Sequence, residues 1–325
     1  MGIGRTAIYL SRETVASIGL PMKRIIDIVE MALVEKAHGR VQMPAKHWME
    51  PSPIRWFGGM SSLVPKVGYA AMKWQSGSTE NAARGLPYIT GMLFLNDLDD
   101  GLVAAVMDST WITQQRTAAA SAVAAKHLAR KGATSFGMLG CGAQARSHLE
   151  AFPHVMDALA EVVVYDIDEG ASRSFAHEVE AAGLRPVIAA SAKQVLDSAS
   201  IIVSGGPIAP NLTRTIESEW MRPGLLGITI DYDCYWRPDA LAAADRLVTD
   251  DFAQIDHLKA YGYFVDCPRP HCELGSVAAG LARGRTSDEQ KIVAVNMGVA
   301  VEDVATAKEI YEIARARNLG IELPL

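Results

Sequence analysis

Apolar residues recur along this chain at two periods, and the switch between them divides it. Between Pro21 and His38, the residues Ile25, Ile28, Val29, Ala32, Leu33 and Ala37 fall at helical spacing with charges between them, and Gly39 follows. This spacing predicts an amphipathic helix with Pro in its first turn and Gly as its stop. From Val41 to Trp56, Pro44, Pro51 and Pro53 predict loop and edge strand. Apolar runs at Val67–Trp74, Tyr88–Leu95 and Leu102–Met107 come next, separated by Gly77-Ser78, Asn96-Asp97 and Asp99-Asp100-Gly101. Short runs between turn residues predict an antiparallel β region.

A cap at Asp108-Ser109 or Thr110 opens a long Ala-rich helix reaching about Arg130. Strands at Thr134–Leu139, Val162–Asp166, Pro186–Ala189, Ser200–Ser204, Gly224–Ile230 and Arg246–Val248 then interleave with helices at Glu169–Ala181, Ala192–Ser198 and Pro238–Ala243. Such alternation predicts a parallel sheet with helices on both faces. A last helix runs from about Met297 to Asn318 and stops at Gly320. The predicted class is α/β: a doubly wound Rossmann sheet over 118–297, beside a β-rich substrate and dimerisation domain built from 1–117 with 298–325. The helix Thr110–Arg130 connects the two and is the expected hinge.

The totals remove several function classes. A net charge of −6 over 325 residues offers no basic field to nucleic acid or anionic lipid. No apolar run approaches the roughly 20 residues of a membrane span, and Arg5, Arg12 and Glu13 break any signal-peptide pattern in the first twenty positions. A cytoplasmic location is expected. Cys141, Cys234, Cys267 and Cys272 do not make a disulfide framework in a chain of this length. Cys267-Pro-Arg-Pro-His271-Cys272 lacks zinc-pair spacing and a second ligand pair, so no metal site is expected.

The stretch Thr134 to Asp168 carries the first chemistry. An apolar run enters Gly140-Cys141-Gly142-Ala143-Gln144-Ala145, a helical pattern follows, and Val162-Val163-Val164-Tyr165 ends in Asp166. Gly140 allows the tight strand-to-helix turn, Gly142 lets backbone approach a pyrophosphate, and Ala145 lets helix and strand pack closely. The helix N-terminus faces the phosphates, and Asp166 stands where an acid bonds the ribose hydroxyls. A carboxylate there repels a 2′-phosphate, so NAD is favoured over NADP.

A dinucleotide implies hydride chemistry, and the substrate groups must come from elsewhere. Lys73 ends the run Tyr69–Trp74, where an inward ammonium is costly without an anion; the plainer reading is a solvated strand-end lysine. Arg116, near the start of the Ala-rich helix, gains nothing from the helix dipole and so suggests a carboxylate or phosphate partner. Lys46 and His47 follow Pro44 in a stiff loop, where surface charge is the plain reading. Asp231 and Asp233 follow the strand Gly227–Ile230, at the end where this architecture gathers ligand groups.

Taken in order, Met43-Pro44-x-Lys46, Lys73, Asn81-x-x-Arg84-Gly85-Leu86-Pro87, Arg116-Thr117-Ala118-Ala119, Gly140-x-Gly142-Ala143-Gln144, Asp233, Gly284-Arg285-x-Ser287-Asp288 and Gly298-x-Ala300-x-x-Asp303 resemble the ornithine cyclodeaminase/mu-crystallin family over nearly the whole chain. The resemblance implies a homodimer with a Rossmann domain, bound NAD(P), and action on amino acids or their imines. It implies that Lys73 and Arg116 hold a substrate carboxylate and that Asp233 meets the amino or imino nitrogen. Gly140, Cys141, Gly142, Ala143, Gln144 and Asp166, with Ser204 and Asn296, make the expected cofactor set. Lys46 stands where the family has an arginine; with His47 and Tyr88 it completes the expected substrate contacts.

Two departures bear on the reaction. Gly58 stands where cyclodeaminases carry a glutamate, and Tyr88 follows Leu86-Pro87 where a threonine is usual. Without that acid, the far nitrogen of a diamine lacks its partner. Three cations (Lys46, Lys73, Arg116) facing one acid (Asp233) suit a substrate with one or two carboxylates. The leading expectation is NADH-dependent reduction of a small α-imino acid, with iminosuccinate as one example, or the reverse oxidation. A cyclodeaminase using NAD catalytically and a non-catalytic nucleotide-binding protein are the alternatives.

Overall fold

Neighbouring strands of opposite sense need only short turns, whereas parallel ones need crossovers, and the chain separates these two tasks. The computed structural model describes residues 5–52, 54–209 and 213–325. It divides into two units, Met1–Arg116 with Val299–Leu325 and Thr117–Gly298, the boundary falling inside the helix Thr110–Leu128.

Six strands of the first unit precede that helix: β1 (Thr6–Leu10), β2 (His47–Ser52), β3 (Arg55–Val64), β4 (Tyr69–Ser78), β5 (Ile89–Asp97) and β6 (Val103–Asp108). β2 to β6 form an antiparallel meander, and β1 pairs with β6 in parallel. β3 was not expected, because Gly58-Gly59 and Ser61-Ser62 interrupt any apolar pattern between Trp56 and Val67. Their smallness serves neighbours instead: a Cβ on Gly59 would lie 2.7 Å from the Met72 side chain. The expected turn at Gly77-Ser78 is likewise strand, since Gly77 lies under the Trp56 ring, which a Cβ would meet at 2.5 Å. Alternate residues of β4 are buried, among them Ala71, Lys73 and Gln75, and the helix Ala300–Ala316 packs on the sheet beside the helix Met22–Ala37.

The second unit holds β7 (Ser135–Leu139), β8 (Glu161–Tyr165), β9 (Arg185–Ile188), β10 (Ile201–Ser204), β11 (Leu226–Thr229), β12 (Arg246–Thr249), β13 (Cys272–Glu273) and β14 (Ile292–Val295). They form one parallel sheet in the order β13-β12-β14-β11-β10-β7-β8-β9. Its central strands are buried throughout, as expected of a sheet covered on both faces. The doubly wound α/β class read from the alternation is therefore the one observed. β15 (Ile321–Pro324) then returns to the first sheet and pairs antiparallel with β1; neither short terminal strand carries a period long enough to read. Among the described residues, no helix is long and apolar enough to cross a membrane.

Parallel strands end together, so their C-terminal residues make one rim. The register sets Leu139, Ser204, Thr229, Val295 and Thr249 side by side, and the segments leaving them carry the candidate groups. Gly227 in β11 supports this rim from within: a Cβ there would lie 2.4 Å from the buried Trp236 ring. Gly227→Ala is expected to destabilise the protein by about 1–3 kcal/mol through overpacking. A lowered urea midpoint at unchanged m-value checks this.

Candidate active site

Lys73 is not a solvated strand-end lysine. It lies within β4 and is 0% exposed, so its ammonium must find partners inside the protein. Nζ donates to Asp303 Oδ1 at 2.9 Å and to Thr113 Oγ1 at 3.1 Å. Arg116, also buried, donates from Nε to the same Asp303 oxygen at 3.1 Å and from Nη1 to Glu302 Oε2 at 3.0 Å. One carboxylate oxygen thus ties together a strand and two helices of the first unit. Burial lowers the Lys73 pKa to about 7; Asp303 raises it, while the charges of Arg116 and Lys46 lower it.

The expected surplus of three cations over one acid is therefore corrected. Glu302 and Asp303, adjacent on the helix Ala300–Ala316, balance much of it. Arg116 has the acidic partners its helix position suggested, but they belong to the protein itself. Lys46 is buried and close enough to act on Lys73. His47, the next residue, is exposed, as strand alternation requires. Tyr88 is half-buried and its hydroxyl accepts from Trp56 Nε1 at 3.4 Å.

In the second unit the glycine turn has the form expected of it. Gly140 has φ +95°, and a Cβ would lie 2.8 Å from the Gly205 carbonyl oxygen. Gly142 begins the helix Ala143–Ala151 with no side-chain cap, and a Cβ on it would meet nothing within 4 Å. The helix end is thus clear for a phosphate. Asp166 Oδ2 accepts from Cys141 N at 2.7 Å and Oδ1 from Asp168 N at 2.9 Å, so this acid braces the turn. Arg146 donates to the Cys141 and Gly142 carbonyls. The amide oxygen of Gln144 and both polar atoms of the Asn296 side chain are buried, with no partner among the described residues. Such groups need one, and a cofactor's polar groups fit that need.

Ser204 does not match its expected part. Its hydroxyl is fully buried, donating to Asp231 Oδ1 at 2.7 Å and accepting from Trp236 Nε1 at 2.9 Å. Asp231 also accepts from Thr229 Oγ1 and from Gly206 N, and burial raises its pKa to about 6. Asp233 instead meets Arg214, whose Nη2 is 2.7 Å from Oδ2. Its Oδ1 is buried and has no partner among the described residues.

The comparisons with known proteins give the family and the fold. The model of the ornithine cyclodeaminase/mu-crystallin family matches residues 7–318. The chain belongs to that family. It is 32% identical to the alanine dehydrogenase of Archaeoglobus fulgidus, over 97% of this chain and 98% of that one. Among solved structures, an archaeal alanine dehydrogenase dimer with bound NAD superposes with a TM-score of 0.86 at 30% identity, covering 98% of this chain and 99% of that one. The Δ1-pyrroline-2-carboxylate reductase of Thermococcus litoralis, in complex with NADH and L-proline, gives 0.87 at 28% identity, covering 97% and 100%.

For this member of the family, sequence reasoning missed Glu302, Arg214 and Arg146, and it quoted Asp303 without a role. A charged pair on the buried face of an apolar helix was the available signal for Glu302 and Asp303; Arg214 sits in no pattern. The cluster makes a titration prediction. Lys46→Gln removes a charge that lowers the Lys73 pKa, so it should raise that pKa. Asp303→Asn removes the charge that raises it, so it should lower it. NMR titration of labelled lysine checks both; shifts in the same direction would contradict the assignment.

Proposed function

We propose that this protein reduces a small α-imino acid to the amino acid with NADH, or runs the reverse oxidation. It is an NAD-dependent oxidoreductase acting on CH–NH2 or C=N groups, in keeping with relatives named alanine dehydrogenase and Δ1-pyrroline-2-carboxylate reductase. The observation that carries the reading is the joint burial of Lys73 and Arg116. Lys46, Lys73 and Arg116 bring three buried cations close together, a setting that favours an anionic substrate group.

When bound, the cofactor supplies or accepts a hydride at C4 of its nicotinamide. Gly140, Gly142 and the start of the helix Ala143–Ala151 would hold its pyrophosphate, and Asp166 its ribose hydroxyls. Asn296 and Gln144 offer polar atoms that have no partner among the described residues for its remaining groups. Arg116 and Lys73 would grip the α-carboxylate and so fix the reacting carbon, an orientation effect. Lys73 titrates near neutrality, so it can give a proton to the imine or take one from the ammonium. Asp233 would accept a hydrogen bond from the positively charged nitrogen. Lys46 would take a second carboxylate where the substrate has one.

A second copy of the chain is the partner this reading includes. The face of the first sheet opposite Lys73 carries Phe57, Met72, Trp74, Met92 and Phe94, with Trp74 and Phe94 exposed and Met72 directly beside Phe94. A contiguous exposed apolar face of this kind marks an interface. Sedimentation should show a dimer for the wild type and a monomer for Trp74→Glu.

Activity is tested by following NADH with pyruvate, glyoxylate or oxaloacetate plus ammonia or methylamine. Consumption equal to the amine formed is expected; ammonia release from ornithine with no net change in the cofactor would instead mean a cyclodeaminase. Lys73→Met should lower kcat by roughly 100-fold or more, and Arg116→Lys should raise KM by roughly tenfold through loss of the planar fork. Lys46→Ala should raise KM for a dicarboxylate far more than for a monocarboxylate.

A further inference from the structure

Asp231 and Asp233 stand two residues apart after β11, and the chain treats them differently. Tyr232 between them has φ 62°, a left-handed backbone uncommon for a bulky residue. Its carbonyl accepts from Thr229 Oγ1, and its ring meets Tyr263 edge-on at 5.0 Å. In the turn so held, both oxygens of Asp231 are taken by Ser204, Thr229 and Gly206. Those of Asp233 are not. Oδ2 accepts from Arg214 Nη2 at 2.7 Å and Nε at 3.1 Å, and Arg214 Nε also lies 2.9 Å from the Asp233 carbonyl. Oδ1 is buried with no donor among the described residues. A carboxylate oxygen out of water without a donor is costly, so this one is arranged for a donor that arrives.

We infer that Arg214 is the positioning residue for Asp233: it occupies Oδ2 and holds the carboxylate in one orientation, so that Oδ1 is the oxygen that accepts from the substrate nitrogen. This rests on the imine-reduction reading. Among the described residues, Arg214 is the cation that meets Asp233. Asp231 and Asp266 are acids, and Cys234 and Cys267 are thiols whose pKa values burial raises, Cys267 to about 12. The Cys267 thiol lies 3.9 Å from Oδ2 and adds no charge.

An acid paired with a guanidinium accepts a hydrogen bond but has no proton to give. The nitrogen must then already be protonated when it is reduced. Hydride adds to the carbon of C=NH2+, the π pair becomes the nitrogen lone pair, and a neutral amine results with no proton from Asp233. In the reverse direction the neutral amine gives up hydride and its nitrogen becomes the cation that Oδ1 stabilises.

The test compares wild type, Arg214→Gln, Arg214→Lys and the double variant Arg214→Gln/Asp233→Asn. With saturating NADH and a preformed cyclic α-imino acid, Arg214→Gln should lose roughly tenfold or more in kcat, with KM changed far less. Arg214→Lys should restore part of kcat, because an ammonium can still take Oδ2, and the double variant should lose at least as much as Arg214→Gln. In a crystal structure of Arg214→Gln the Asp233 carboxylate should be turned from its wild-type orientation. An unchanged kcat, or an unchanged carboxylate orientation, overturns the inference. If wild type reduces no imino acid, the functional reading and the substrate role of Oδ1 fall together, while the structure of the variant still decides whether Arg214 positions Asp233.

Discussion

Two cations that share one carboxylate oxygen inside a water-excluded core set the terms for the first unit. Lys73 and Arg116 come from a strand and a helix, and Asp303 comes from a helix near the far end of the chain. Taking any one of them away strands the others as buried, underpaired charges, which is far costlier than losing a surface pair. The meander, the start of the helix Thr110–Leu128 and the returning C-terminal helix are therefore held to one arrangement. Burial in that core, helped by the charges of Arg116 and Lys46, brings a lysine proton within reach of neutral pH. Stability and chemistry here come from one set of contacts.

The second unit works by leaving room. Gly140 and Gly227 are bare because a neighbouring carbonyl or indole occupies the space a side chain would take, whereas Gly142 is bare with open space in front of it. Asp166 ties the turn from behind, and Asp231 ties the segment after β10. Among the described residues, side-chain atoms of Gln144, Asn296 and Asp233 at this rim are buried without a hydrogen-bond partner. Groups left so are the natural contacts of a ligand, since native proteins seldom bury polar atoms without a purpose.

Much of this was legible from residues alone. Period and alternation separated the meander from the parallel sheet, and the run from Thr134 to Asp168 spelled out strand, turn, helix and acid. β3 was hidden because its glycines and serines have poor strand preference, and the glycines leave room for Trp48 and Met72. β1 and β15 were hidden because each is short and its partner lies at the other end of the chain. Sequence reasoning also took Lys73 as exposed and counted cations without their acids. Neither error could be repaired locally, because Glu302 and Asp303 lie 229 and 230 residues after Lys73.

The sequence by itself determined the α/β class, the glycine turn and its acid, and the residue types of the candidate substrate groups. These depend on backbone conformation and on spacings of a few residues, which the local chain dictates. Tertiary structure alone decided which charges are paired, which aspartate keeps an oxygen open, and that the Ser204 hydroxyl turns inward. Those outcomes depend on burial and on partners brought together from distant segments, and the cost of an unpaired charge is set by that assembled environment.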